Sequence, residues 1–175
     1  MPETRIYSIN VPIERDISTT KTDDSIAIVI HAPRHLTQQY IAYRNSPYQL
    51  EISKYSKWDA PPSEIVRDRF KDFLTKTNLF KEVRVSNTIP RDFYSLKINL
   101  RKFERYDEGN ESFGELVFDI DLFSPDFKEL YHSTILKKVK LDDRNFFSLA
   151  KGLSIALTEG INEARESIIK SFKRD

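Results

Sequence analysis

The sequence predicts an α+β protein, a mixed, largely antiparallel sheet with two helices packed on one face. Three observations predict it. Residues 94–100, 115–122 and 131–141 alternate side-chain character with the period of two of half-buried strands. Residues 66–74 and 146–168 repeat apolar side chains at helical spacing instead. The 175 residues, 39% hydrophobic and 12% aromatic, suffice for one domain with a proper core, so residues 1–175 are read as a single domain.

Taken in order, residues 6–13 form a short β-rich run, and residues 14–24 are polar and charged, a loop. Residues 25–32 (SIAIVIHA) are continuously apolar and β-branched up to the histidine, which suits a strand covered on both faces. Pro33 ends it. Residues 39–44 and 48–55 read as a hairpin around Asn45-Ser46-Pro47, with Tyr48, Leu50 and Ile52 on its apolar side.

The first helix starts at Pro61-Pro62, where a missing N–H costs nothing, and Glu64 complements the positive end of the helix dipole. Val66, Phe70, Phe73 and Leu74 form its apolar stripe, and Asn78 is a left-handed stop. Residues 80–85 follow as a strand. Tyr94, Leu96, Ile98 and Leu100 share one strand face, and the phase shift at Phe103 predicts a bulge or a strand end. Turns at residues 107–111 and 124–126 separate this strand from two more, the first carrying Leu116, Phe118, Ile120 and Leu122 and the second carrying Tyr131, Ile135 and Val139. The last helix, capped by Asp142 or Asp143, carries Phe146, Ala150, Leu153, Leu157, Ile161, Ala164 and Ile168. Gly152 and Gly160 allow close packing or a bend.

Composition excludes several functions. Lys+Arg is 28 and Asp+Glu is 27, a net charge of +1, which argues against a nucleic-acid partner. Cysteine is absent, which removes thiol chemistry, disulfides and Cys-based metal sites. No apolar run reaches the ~18 residues needed to cross a bilayer as a helix. His31 and His35 have the spacing of a helical zinc pair, but Pro33 between them in a β-rich setting makes two surface histidines the expectation. Glu115, Asp119 and Asp121 share a strand face; a hydrolase or other enzyme would use them as acid and base, whereas the plainer expectation is a solvated outer face. Residues 109–114 lack the pattern of a phosphate loop. Aromatic and basic residues mix at 40–44 and 54–58, the pattern of a single-stranded nucleic-acid binder, without a Lys/Arg cluster to support it. The residues themselves assign no catalytic group, cofactor site or metal ligand.

From residue 26 to 85 the order of signals resembles a known family. It comprises the IAIVI strand, Pro33 and Leu36, the QYIAYR strand ending at Arg44, Tyr48-x-Leu50-Glu51, Tyr55-x-x-Trp58, a proline-started helix and a Phe-x-x-Val strand. Tyr7-Ser8-Ile9 and Pro12 fit the same pattern. The chain is similar to the auxiliary lipoprotein component of ABC-type transporters, the paraquat-inducible protein C-like family. Pro62 departs from it, standing where the family has Leu. Members carry a signal peptide and a lipid-modified cysteine; neither is present in this chain, and the expectation is that both preceded Met1.

The resemblance implies a fold like the N-terminal domain of TolB and a non-enzymatic role. The expected place is the periplasm, anchored to the outer membrane by lipid. The expected partners are an MCE-domain protein with its ABC permease and ATPase, moving phospholipid or other hydrophobic molecules between membranes; a homo-oligomer stays open. Arg44, Tyr55 and Trp58 stand where the resemblance is sharpest and are the expected partner-binding residues. The alternative is structural, with Trp58 stapling the first helix to the sheet.

Overall fold

The computed structural model of the protein describes residues 2–13 and 21–172. Most of the loop expected at residues 14–24 lies outside the described residues. The strands are β1 (Arg5–Tyr7), β2 (Ser25–His31), β3 (Tyr40–Ser46), β4 (Gln49–Trp58), β5 (Glu82–Val85), β6 (Tyr94–Glu108), β7 (Glu111–Phe123) and β8 (Glu129–Lys140). The helices are α1 (Pro62–Lys76) and α2 (Phe146–Phe172), and a 3-10 turn spans Arg34–Thr37.

All eight strands join one sheet, and β6 is its spine. One edge of β6 pairs antiparallel with β7 along its whole length, and β7 pairs with β8. Its other edge is shared by β2, opposite residues 94–99, and β3, opposite residues 104–106, both parallel to it. The sheet therefore forks. β5 extends the β2 branch, while β4 and then β1 extend the β3 branch. The 3-10 turn joins the two branches, and β6 carries its bulge, between Leu100 and Lys102, in the same interval. The phase shift read at Phe103 is this bulge, which turns the following side chains over.

Both helices pack on one face of the sheet. Phe118 of β7 shows how: the ring of Phe70 from α1 meets it edge-on at 5.6 Å, and α2 passes over it at Gly160. Val66, Phe70, Phe73 and Leu74 are buried, as are Ala150, Leu153, Leu157, Ile161, Ala164 and Ile168; Phe146 is half-buried. The 27 residues of α2 span ~40 Å, enough to cross the sheet. A Cβ on Gly160 would lie 3.2 Å from the Phe118 ring and 3.4 Å from Ile135, so any larger side chain has no room. Gly160→Val is expected to destabilise the protein by about 1–3 kcal/mol, measured by urea unfolding.

Four expectations change. The strand expected over residues 6–13 is only Arg5–Tyr7. Beyond it the chain leaves the sheet, because the Asn10 N–H bonds to Ser154 Oγ at 3.0 Å and Val11 is buried in a crevice shared with Phe73 and Ile161. The cap of α2 is not Asp142 or Asp143 but Asn145, whose Oδ1 accepts the Ser148 N–H at 2.7 Å. Tyr48 and Ile52 are exposed, since the helices pack on β2, β5, β7 and β8 rather than under the hairpin. His35 is half-buried rather than open to solvent, with its Nε2 covered.

Candidate partner-binding surface

The structure separates Arg44, Tyr55 and Trp58. Trp58 closes β4 and is 0% exposed, with its ring edge-on to Phe103 at 5.4 Å. It anchors the start of α1 and offers no surface to a partner, which corrects its expected docking role. Arg44 closes an ion pair on Glu104, a carboxylate fully buried on β6 where the two branches meet. Tyr55 remains open, 52% exposed.

Tyr55 belongs to a larger surface whose residues are far apart in the sequence. It forms where the short strand β1 runs beside the first turns of α2. On one side of β1 lies a groove of about 540 Å³ lined by Arg5, Tyr7, Tyr55, Arg105, Arg144 and Phe146 among others. On the other side lies a groove of about 440 Å³ lined by Ile6, Tyr7, Phe147, Ala150, Lys151 and Ile155 among others. Tyr7 borders both. Ile6 is 65%, Phe147 64% and Ile155 49% exposed, three large apolar side chains gathered on a small protein. Such a gathering, bordered by charge, is the make-up of a protein interface rather than of scattered surface residues.

The frame beneath this surface is stiff. Arg105 is gripped between the rings of Tyr43 (4.9 Å) and Phe146 (5.1 Å) and makes two 3.0 Å bonds to Asp107. Arg144 donates from Nε to Ser112 Oγ at 2.8 Å, and Ser112 donates to Asp107 at 2.7 Å. These contacts tie the start of α2 to the β6–β7 turn, so Phe147 and Ile155 are presented from a fixed helix. A partner then loses little entropy to ordering this side.

The carboxylates Glu115, Asp119 and Asp121 are not a freely solvated face. Asp119 is 8% exposed and receives Arg101 (2.8 Å), Thr134 (2.6 Å) and Asn99 (3.4 Å). Burial pushes its carboxyl up, but the Thr134 bond, the Arg101 charge and the Asn99 bond hold it below the usual range. Glu115 is paired with Lys102 (3.5 Å) and Lys138 (3.9 Å). Asp121 bonds His132. The register places Lys138, Thr134 and His132 of β8 opposite Glu115, Asp119 and Asp121, and Asn99 of β6 opposite Asp119, while Arg101 and Lys102 reach across from the β6 bulge.

His35 sits in the 3-10 turn that joins the two branches. Burial lowers its pKa below the ordinary imidazole value, with Glu104 pulling upward and Arg44 pushing down. As pH falls from the ordinary value toward the lowered one, the unfolded chain takes up a proton that the folded chain refuses, so stability falls. Unfolding free energy should therefore drop more between about pH 8 and about pH 5.5 in the wild type than in His35→Asn. The remaining titrating groups are common to both chains and cancel in the comparison.

No family model and no curated protein matches the chain. Solved structures do. The crystal structure of protein XCC0632 from Xanthomonas campestris, family DUF330, matches at TM-score 0.83 and 17% identity, over 97% of this chain and 98% of that one. A crystal structure of an uncharacterized protein matches at TM-score 0.66 and 15% identity, over 94% and 99% of the two chains. The 1.65 Å structure of the hypothetical protein CT253 from Chlamydia trachomatis matches at 0.54 and 8% identity, over 88% and 100%. The chain thus shares its fold with the Xanthomonas protein from end to end.

Proposed function

We propose that the protein is a non-enzymatic auxiliary component of an MCE-type ABC transport system in the cell envelope. In this reading it docks on the MCE-domain protein and tethers it to a membrane through a lipid anchor. The observation that carries the docking role is the exposed apolar group of Ile6 on β1 with Phe147 and Ile155 on the fixed first turns of α2, beside Tyr7. The motif resemblance across residues 26–85 supports the choice of partner. The engagement of Glu115, Asp119 and Asp121 in local bonds favours a structural role for that face over acid–base chemistry.

The test mixes the purified chain with the purified MCE-domain protein from the same genome and follows them by size-exclusion chromatography. Co-elution at micromolar concentration is expected. Separate elution, both with the MCE protein alone and with its assembled permease and ATPase, overturns the proposal.

A further inference from the structure

We propose that Asp121, Glu129 and His132 form a binding site for one zinc-class divalent cation on the outer face of the sheet, away from the docking surface. The sequence conceals this trio, because residues 129 and 132 would point to opposite faces of a regular strand. The bulge at the start of β8 removes that obstacle. Leu122 opposes Tyr131 while Phe123 opposes Glu129, so Leu130 is the extra residue, and Glu129 comes round to the face that carries His132. Asp121 lies directly across from His132 in the antiparallel register.

One ligand atom from each side chain, the three mutually within 4.8 Å, is then available. A tetrahedral zinc with bonds of ~2.0–2.1 Å needs ligand atoms ~3.3 Å apart, so side-chain rotation of about 1 Å closes the site on a backbone already fixed by pairing. The imidazole selects zinc-class ions over magnesium and calcium, which prefer all-oxygen shells. Three protein ligands leave a fourth position for water or for a donor from another molecule.

Charge favours a cation here. Asp119, the nearest other acid on the strand, is neutralised by Arg101. Lys97 is opposite Asp121 in the register, but its ammonium lies 5.1 Å from the centre of the Phe123 ring and makes no ion pair among the described residues. The Glu129 carboxylate has no hydrogen bond or ion pair to any described residue, and the partner of Asp121 is His132. With neutral imidazole the trio carries two negative charges, which a divalent ion cancels. Where His132 is protonated on Asp121, binding releases that proton to solvent.

The test titrates the tag-free chain with zinc chloride by isothermal calorimetry, alone and in a large excess of magnesium chloride. One zinc per chain is expected at micromolar free zinc, unaffected by magnesium. His132→Ala and Glu129→Gln should weaken binding by at least about tenfold, the loss seen even when only an outer partner of a ligand is removed. His31→Ala should change nothing. Saturating zinc should also raise the melting temperature of the wild type but not of His132→Ala. Absence of saturable binding, or binding that survives His132→Ala, overturns the assignment. These side chains are at the surface, so a circular-dichroism spectrum identical to wild type is expected for each variant.

Discussion

Trp58→Ala is expected to cost about 3–5 kcal/mol of stability, the largest effect of any single change considered. The indole is fully buried at the point where β4 leaves the sheet for α1, with its ring against Phe103. Two backbone bonds fix the position: the Trp58 N–H donates to Gln39 O at 2.7 Å, and the next N–H, of Asp59, donates to Tyr7 O at 2.9 Å. Alanine would leave a void that this framework cannot collapse into. Because the indole Nε1 has no hydrogen-bond partner among the described residues, Trp58→Phe should recover most of the loss. Equilibrium unfolding in urea distinguishes this from a docking role: a partner-binding tryptophan would leave the unfolding midpoint unchanged.

The second large effect is expected at Arg44. Its guanidinium is the charge partner of Glu104, which is fully buried between the branches of the sheet. Arg44→Ala leaves that carboxylate uncompensated, at a cost of about 3 kcal/mol, the lower end of the usual range because the arginine itself is partly open to solvent. The loss should shrink in mild acid. His35 lies close enough to feel both charges, and without Arg44 it can accept a proton that Glu104 favours. The double variant Arg44→Leu/Glu104→Leu should unfold near the wild-type midpoint, since a buried pair and an apolar pair of similar volume are often equivalent. Urea midpoints of the three chains at neutral and mildly acidic pH give the comparison.

Much of the fold could be read from the sequence. The stripes of α1 and α2 and the alternation in β6 and β7 each report a local period; burial follows it along α1 from Val66 to Leu74, and in β7 Leu116, Phe118, Ile120 and Leu122 are fully buried while Val117 and Asp119 on the other face are largely covered too. The Phe103 phase shift located a true bulge. The fork in the sheet was not legible, because β2 and β3 share one edge of β6 through pairings separated by more than sixty residues. Glu104 reads as a surface charge in any window of sequence; only the junction of the two branches buries it. Asn145 does not stand out from its acidic neighbours in the sequence, because Ser, Asn and Asp cap almost equally well and geometry chooses among them.

The candidate surface was half legible. Motif position points to Tyr55, and it lines the groove. Phe147 and Ile155 carry a signal of their own, two apolar residues eight apart on one helix and off the main stripe. The dominant stripe masks it, and their partner Ile6 comes from the other end of the chain. Trp58 lies in the interior and Arg44 half-buried on Glu104, since arginine and tryptophan suit buried frameworks as well as interfaces.

The central claim is that the surface beside β1 docks the MCE-domain partner. Its most direct test is the affinity of the purified partner for the double variant Phe147→Asp/Ile155→Asp, measured beside the wild type by biolayer interferometry. Both side chains are largely exposed, so the variant should melt within a few degrees of wild type. The account predicts binding weakened by at least tenfold, about 1.4 kcal/mol, with the fold intact. Unchanged affinity in the folded variant would contradict it.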